Sequence, residues 1–272
     1  MKPQWTFLAC GLALVAAVAL QAADMKETAR SMAEQVGKSV ITIRVVATVK
    51  MNMQGQNREQ EQKNEVTGVV VDPSGLTVAC ASQVEPSGRS AMSGMKIDIT
   101  VKETTLILPD GTEVPADVVM KDTDLDMVFI RPKEAGKTFD AVALKPRAAQ
   151  PKLLDDVFSV GRLGKEGNRA VRVVPGEIQA EVKGPRTCYV CSFELSMNMI
   201  GCLVFAADGE PIGILVTKTA VGGADGGGRG MRPMPIMRPL ADLLDSIKQA
   251  KEAKPKPPEE KKEPAANPEE KK

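Results

Sequence analysis

The sequence predicts an all-β protein. Short β-branched runs recur along it between turns that contain Gly or Pro. No helical segments alternate with these runs, which disfavours a parallel α/β sheet. A single amphipathic helix follows the last of them. The runs fall into two strand-rich halves, roughly 38–132 and 155–220, which suggests two small barrels. With 272 residues the chain is long enough to bury a sizeable core in one large or two small units.

The N-terminus reads as an address. Lys2 is followed by an apolar run from Phe7 to Leu20, then Ala22 and Ala23 before Asp24. This is the pattern of a secretory signal peptide, expected to span 1–23. The run is shorter than the ~20 residues a spanning helix needs. Cys10 sits too early in it for a lipoprotein box. No later segment is apolar enough to span, so the expectation is an exported protein, periplasmic or extracellular. No integral membrane segment is expected after cleavage.

The elements follow in order. Met25, Ala29, Met32 and Val36 share one face of a short helix over 25–36. Residues 38–50 are β-branched and read as a strand, and the Gln-rich stretch 51–65 as a long exposed loop. GVVVDPSGLTVAC (68–80) is a hairpin around a Pro-Ser-Gly turn. Strands are expected at 95–101, 105–108, 113–120 and 126–132. In the second half they are expected at 155–164, 170–182, 187–195, 201–210 and 211–220, followed by a glycine loop over 221–230. Leu240, Leu243, Leu244 and Ile247 form one face of a terminal helix over 238–250. The tail 251–272 is Lys, Glu and Pro with no large apolar residue, and cannot offset its ordering entropy.

Composition excludes several functions. The chain has no His, so it can build neither a Ser-His-Asp nor a Cys-His catalytic system, nor a His-ligated metal site. Lys+Arg number 36 against 35 Asp+Glu, and Lys2 lies in the segment expected to be removed, leaving a neutral chain. A neutral chain has no global electrostatic reason to bind nucleic acid or an anionic membrane. Trp5 is the only Trp and Tyr189 the only Tyr, too few for base-stacking platforms. No cofactor and no metal are expected.

Cys80, Cys188, Cys191 and Cys202 remain after cleavage, an even number that favours disulfides in an oxidising compartment. Cys188 and Cys191 form a CxxC, but in a β-rich context without the helix start that a thioredoxin-type motif uses. Small core or loop residues are the plainer reading of that pair.

The order of motifs resembles the HtrA/Deg-type trypsin-like serine proteases. GVVVDPSGLTVACASQVE is similar to their segment around the catalytic His, and LILPDGTEVPADVVMKDTDLDMVFI to the stretch around the catalytic Asp. DDVFSVGRLG and VRVVPGEIQAEVKG resemble the start of the second barrel. MNMIGCLVFAADGEPIGILVTKTA resembles the nucleophile loop and the strands after it, and PIMRPLADLL the terminal helix. The resemblance spans about 25–250 and implies a trypsin-like double β-barrel with a short N-terminal and a C-terminal helix, without the family's usual PDZ domain.

Carried over residue by residue, the resemblance places Ser82 at the His position, Asp124 at the Asp position and Ile200 at the nucleophile position. Asn198 and Gly201 fall in the oxyanion loop. An Ile cannot attack a carbonyl, Ser82 cannot accept a proton near neutral pH, and a triad Asp without an imidazole has nothing to orient. The plainer reading of Asp124 is a loop carboxylate capping backbone amides. In the family, substrate is held by strand addition, which can outlive the triad. The matching edge is Leu215, Val216, Thr217, Lys218 and Thr219. The resemblance also implies that the segments of Cys80 and Cys202 meet between the barrels, making them candidates for a disulfide.

The expectation is therefore a catalytically inactive, exported serine protease homologue that binds an unidentified protein or peptide. Two alternatives stand beside it. One is an active hydrolase using another nucleophile, from Ser82, Ser192, Ser196 or Cys202. The other is a thiol-disulfide protein using Cys188 and Cys191.

Overall fold

The structure is a computed structural model and describes residues 25–53, 56–86, 95–193, 199–218 and 234–253. The expected signal peptide, Asn198, Thr219, the expected glycine loop over 221–230 and the tail beyond Ala253 lie outside the described residues.

Two closed six-stranded antiparallel barrels make up the fold, as the sequence predicts. The first contains β1 (Val40–Met53), β2 (Gln56–Val70), β3 (Thr77–Cys80), β4 (Met95–Ile107), β5 (Glu113–Asp122) and β6 (Met127–Pro132). Its strands close in the order β1-β2-β3-β6-β5-β4. The second contains β7 (Asp156–Arg162), β8 (Val171–Val182), β9 (Cys188–Cys191), β10 (Leu203–Ala206), β11 (Pro211–Lys218) and β12 (Met234–Pro239), ordered β10-β11-β12-β9-β8-β7. Helix α1 covers 25–36, α2 is the single turn Ala81–Val84, and α3 is Leu240–Glu252.

Two expectations change. Residues 51–53 and 56–65 are not loop: β1 and β2 stay in register from Val40↔Val69 to Met53↔Gln56. The polar side chains of β2, exposed from Arg58 to Lys63, hide a backbone that is fully laddered onto β1. The second barrel also extends past 220, because β12 pairs with both β11 and β9 and closes it.

Period-2 alternation sorts the core into three clusters. Ala79, Ile43, Val128 and Ile130 fill the first barrel, and Val204, Leu215, Met237 and Tyr189 the second. The intervening residues of the same strands face the other way. Val78, Cys80, Leu203, Phe205, Ile214 and Val216 form a third cluster, joined by Leu240, Leu243 and Ile247 of α3. Strands buried on both faces explain the nearly continuous apolar runs MVFIRP and PIGILVTK. Phe158 and Phe205 stack in the third cluster with ring centroids 5.4 Å apart.

Turns hold the register. Gly75 sits at φ +88° in the hairpin turn, where an added Cβ would lie 2.6 Å from Pro132 and 2.7 Å from Phe139, so only glycine fits. Buried Arg162 donates from Nε to the Val40 carbonyl at 2.5 Å, and from its terminal nitrogens to the carbonyls of Arg169 and Gly37 at 2.7 and 2.6 Å. It thereby ties β7 to the chain leaving α1.

Candidate functional site

The site residues come together where the third cluster reaches the surface. The end of β3 and the turn α2 carry Cys80 and Ser82, the turn before β6 carries Asp126, and β11 carries Thr217. The turn 199–202 closes the site with Ile200 and Gly201.

Asp126 is the hub. Its Oδ1 accepts the Ser82 backbone N–H at 2.7 Å. Its Oδ2 accepts the Ser82 hydroxyl at 3.0 Å, the Thr217 N–H at 3.1 Å, the Thr217 hydroxyl at 2.5 Å and the Cys80 thiol at 3.0 Å. The Ser82 and Thr217 hydroxyls lie 2.8 Å apart. Asp126 has φ +56°, a left-handed conformation that Asp tolerates better than most residues, and its carbonyl accepts the Ala81 N–H at 2.9 Å.

The carboxylate that faces Ser82 therefore belongs to Asp126, and the assignment of Asp124 to that position is corrected. Residues 124 and 126 flank Leu125, which is buried, and the chain turns over it. Asp124 engages through its backbone: its N–H donates to Asp122 Oδ1 at 3.1 Å and its carbonyl accepts from Arg238 at 3.0 Å. The capping carboxylate of this loop is that of Asp122, which also takes the Leu125 N–H at 3.0 Å. The sequence holds a signal for this: in TDLDMV, Asp126 directly precedes the apolar strand, whereas Asp124 is two residues further back.

Ile200 is 2% exposed and packs in the same apolar cluster as Cys80, Leu203 and Met127. Gly201 has φ +94°, and a Cβ there would lie 2.5 Å from the Thr67 carbonyl oxygen, so the turn presses against the first barrel. The Gly201 N–H donates to the Leu215 carbonyl at 2.7 Å and is engaged inside the fold.

The four described cysteines form no disulfide. Cys80 aims its Sγ at Asp126, while the Cys202 Sγ lies against Gly161 of β7, 3.0 Å from where a Cβ would sit. The expected Cys80–Cys202 bond is therefore not made: both are free thiols, that of Cys80 on Asp126 and that of Cys202 packed beside Gly161. Burial, reinforced by the neighbouring carboxylate of Asp126, pushes the Cys80 thiol up to about 12. Burial alone pushes Cys191 and Cys202 up to about 12. Cys188 packs between the barrels and Cys191 inside the second barrel, on opposite faces of β9. That placement disfavours a CxxC redox pair.

The other candidates are placed as follows. The Ser192 hydroxyl accepts the Glu177 N–H at 2.8 Å, joining β8 to β9 away from Asp126. Ser196, like Asn198, lies outside the described residues. The expected peptide-binding edge is largely engaged. On one side Leu215 to Lys218 pair with Met237 to Met234 of β12. On the other, Leu215 exchanges bonds with Gly201 and Cys202, and the Thr217 N–H goes to Asp126. Motif order places Thr217 on that edge but carries no signal for its bond to the carboxylate, which joins residues 91 positions apart.

Two barrels hold a carboxylate at their seam, and the comparison with known families agrees. Residues 66–214, more than half of the 272-residue chain, match the trypsin-like peptidase domain. The chain belongs to this family. The match runs from the end of β2 into β11 and includes Ser82, Asp126 and Ile200. No curated protein matches the chain. Relative to the chemistry of a trypsin-like peptidase, this member keeps a positioned carboxylate but gives it hydroxyls, amides and a thiol to hold. The chain has no imidazole to place between that carboxylate and a nucleophile.

Proposed function

We propose that this trypsin-like peptidase homologue is exported and catalytically inactive, and that it serves as a binding scaffold for a protein or peptide. One observation carries the reading. The Asp126 carboxylate is satisfied by Ser82, Thr217 and Cys80, while hydrocarbon from Ile200 occupies the seam beside it. Acyl transfer needs a nucleophile and a base that takes its proton. Neither hydroxyl on Asp126 has a basic nitrogen among the partners described above, and the Cys80 thiol stays protonated with its pKa raised to about 12. Export is supported by the signal-like segment 1–23, and the HtrA/Deg-type ancestry by the motif order. A peptide adding to β11 would use backbone beyond the Thr217 N–H, which Asp126 occupies.

The test is labelling with a fluorophosphonate probe together with casein hydrolysis. The expected result is no labelled residue and no released peptide. Stoichiometric labelling of Ser82 or Ser192, or turnover of casein by pure protein, refutes the reading and supports the alternative hydrolase.

A further inference from the structure

The hairpin between β7 and β8 reaches from the second barrel to the first. Its tip turns through the 3-10 helix Lys165–Gly167, then through Asn168 at φ +53° and Arg169 at φ +51°. The Ala170 N–H closes this last turn on the Gly167 carbonyl at 3.0 Å. Two successive left-handed residues suit Asn followed by Gly, so Arg169 stands where glycine is favoured. The backbone there does not call for an arginine, but the side chain is fully engaged. Its guanidinium donates to both carboxylate oxygens of Glu65 on β2, from Nε at 3.1 Å and from a terminal nitrogen at 2.5 Å. The two side chains are only 28% and 26% exposed.

Glu65 has a second arginine within reach. Arg44 of β1 stands directly opposite it in the antiparallel ladder, and opposite charges so placed attract each other. Arg44 bonds instead to Glu113 of β5, its two terminal nitrogens gripping both carboxylate oxygens, one of them at 2.6 Å. The flanking residues Ile43, Val45, Val66 and Val114 fill the first-barrel core, so Arg44, Glu65 and Glu113 face outward. Four charges thus alternate across the outside of the first barrel and onto the hairpin: Glu113, Arg44, Glu65, Arg169. Each also feels a charge beyond its bonded partner, since Glu65 acts on Arg44 and Arg169 on Glu113.

We propose that Glu65 is an exchange point for which Arg44 and Arg169 compete, and that Glu113, by holding Arg44, keeps the hairpin clasped to the first barrel. The device has two arrangements. In the one seen here each carboxylate has its own arginine and the hairpin is closed. In the other, Arg44 crosses to Glu65, and Arg169 leaves with the tip of the hairpin. Release is confined to the tip. Arg162 loses its bond to the Arg169 carbonyl but keeps those to the carbonyls of Val40 and Gly37, so β7 stays in place. Loss of the Glu113 charge favours the second arrangement, and loss of the Arg44 charge abolishes it. The inference is independent of whether the protein cleaves peptides.

Cleavage after Arg169 by an arginine-specific protease tests it on the mature full chain, with initial rates normalised to cleavage after the exposed Arg186. A protease must draw the chain out of its left-handed turn and the guanidinium off Glu65, so the rate follows the population of open tips. Wild type should be cut slowly there. E65Q should be cut about tenfold faster, since it removes the carboxylate that holds the tip. E113Q should be cut about threefold faster or more, although its bond is to Arg44 and not to the hairpin. R44Q should be cut no faster than wild type. R44Q/E113Q should return to within about twofold of wild type, because no second arginine is left to claim Glu65. That recovery also shows that the loss of Glu113 does not unfold the chain. A network in which every charge only supports the others predicts that R44Q and the double variant are cut faster as well. That result overturns the proposal, as does an E65Q or an E113Q that is cut no faster than wild type.

Discussion

Replacing Asp126 with Ala should destabilise the protein far more than replacing Asp124. Asp126 accepts bonds from Ser82, Cys80 and Thr217, and Thr217 belongs to the other barrel. Hydrogen bonds to a charged acceptor contribute about 1.5–3 kcal/mol each, but this cluster is coupled and Ser82 is exposed, so the bonds do not add. Leaving the Thr217 amide and the Cys80 thiol without an acceptor, with partial rescue by water at Ser82, should cost about 3–5 kcal/mol. For a domain of this size a urea m-value of about 2–3 kcal/mol/M turns that into a midpoint lower by about 1–2.5 M. Asp126→Asn keeps the shape and one oxygen and should fall about halfway. Asp124→Ala keeps both backbone contacts and should change stability by no more than about 0.5 kcal/mol. The assay is urea denaturation followed by far-ultraviolet circular dichroism, since Trp5 lies in the segment expected to be cleaved. A D126A midpoint within about 0.3 M of wild type, or a D124A loss as large as that of D126A, refutes the assignment of the hub.

Two further predictions concern titration. Burial works against ionisation of Asp72, but the Lys251 ammonium at 2.6 Å and the Ser74 amide outweigh it and hold the carboxyl at about 2, below its usual 3.8. A depressed carboxyl stabilises above its unfolded pKa and loses that contribution as pH falls through its folded pKa. This pair should therefore weaken between about pH 4 and 2, and Asp72→Asn should flatten that limb while costing about 1 kcal/mol at neutral pH after solvent screening. Urea midpoints of both proteins at about pH 5 and 2.5 check it, and an unchanged limb in the variant rejects it. The second prediction is that Cys80, Cys188, Cys191 and Cys202 are recovered as thiols by peptide mapping without reductant. In the folded protein about pH 8 should leave Cys80, Cys191 and Cys202 slow toward a thiol reagent, since their pKa values are raised to about 12. A mapped Cys80–Cys202 bridge would contradict the side-chain directions of both residues.

The double barrel is legible in the sequence because strand alternation and Gly/Pro turns are local signals. Gly75 and the Asp72–Ser74 turn fix one hairpin within a few residues. The strand over 56–65 is not legible, because its stability comes from a ladder with β1 while its own side chains look like those of a solvated loop. β12 escapes for a related reason: a six-residue strand holding Pro235 and Pro239 reads as a breaker, yet it supplies Ile236 and Met237 to two cores. At the site, motif spacing places Ile200 and Ser82, but the choice between Asp124 and Asp126 depends on which carboxylate the turn swings toward Ser82. Thiol direction poses the same difficulty: resemblance brings the segments of Cys80 and Cys202 together, but only side-chain geometry shows that one points at a carboxylate and the other at Gly161.

The seam between the barrels does not depend on catalytic groups for its cohesion. Its cohesion comes from the third apolar cluster, from Arg162 donating across to the carbonyls of Val40 and Gly37, and from the bonds between Asp126 and Thr217. None of these needs an imidazole or a nucleophilic hydroxyl. A hydroxyl at position 200 would sit where the side chain is now 2% exposed, and burying it without a partner costs about 1–3 kcal/mol, on top of the cavity left by the missing hydrocarbon. An isoleucine there gains about 1.5–3 kcal/mol from burial instead. On the opposite side the Ser82 hydroxyl bonds to Asp126 and lies 2.8 Å from the Thr217 hydroxyl. Activity and stability pull against each other at such a site, and both the burial of Ile200 and the bond from Ser82 to Asp126 serve stability. An Ile200→Ser substitution would therefore weaken the seam while leaving the Asp126 carboxylate bound to the Ser82 and Thr217 hydroxyls.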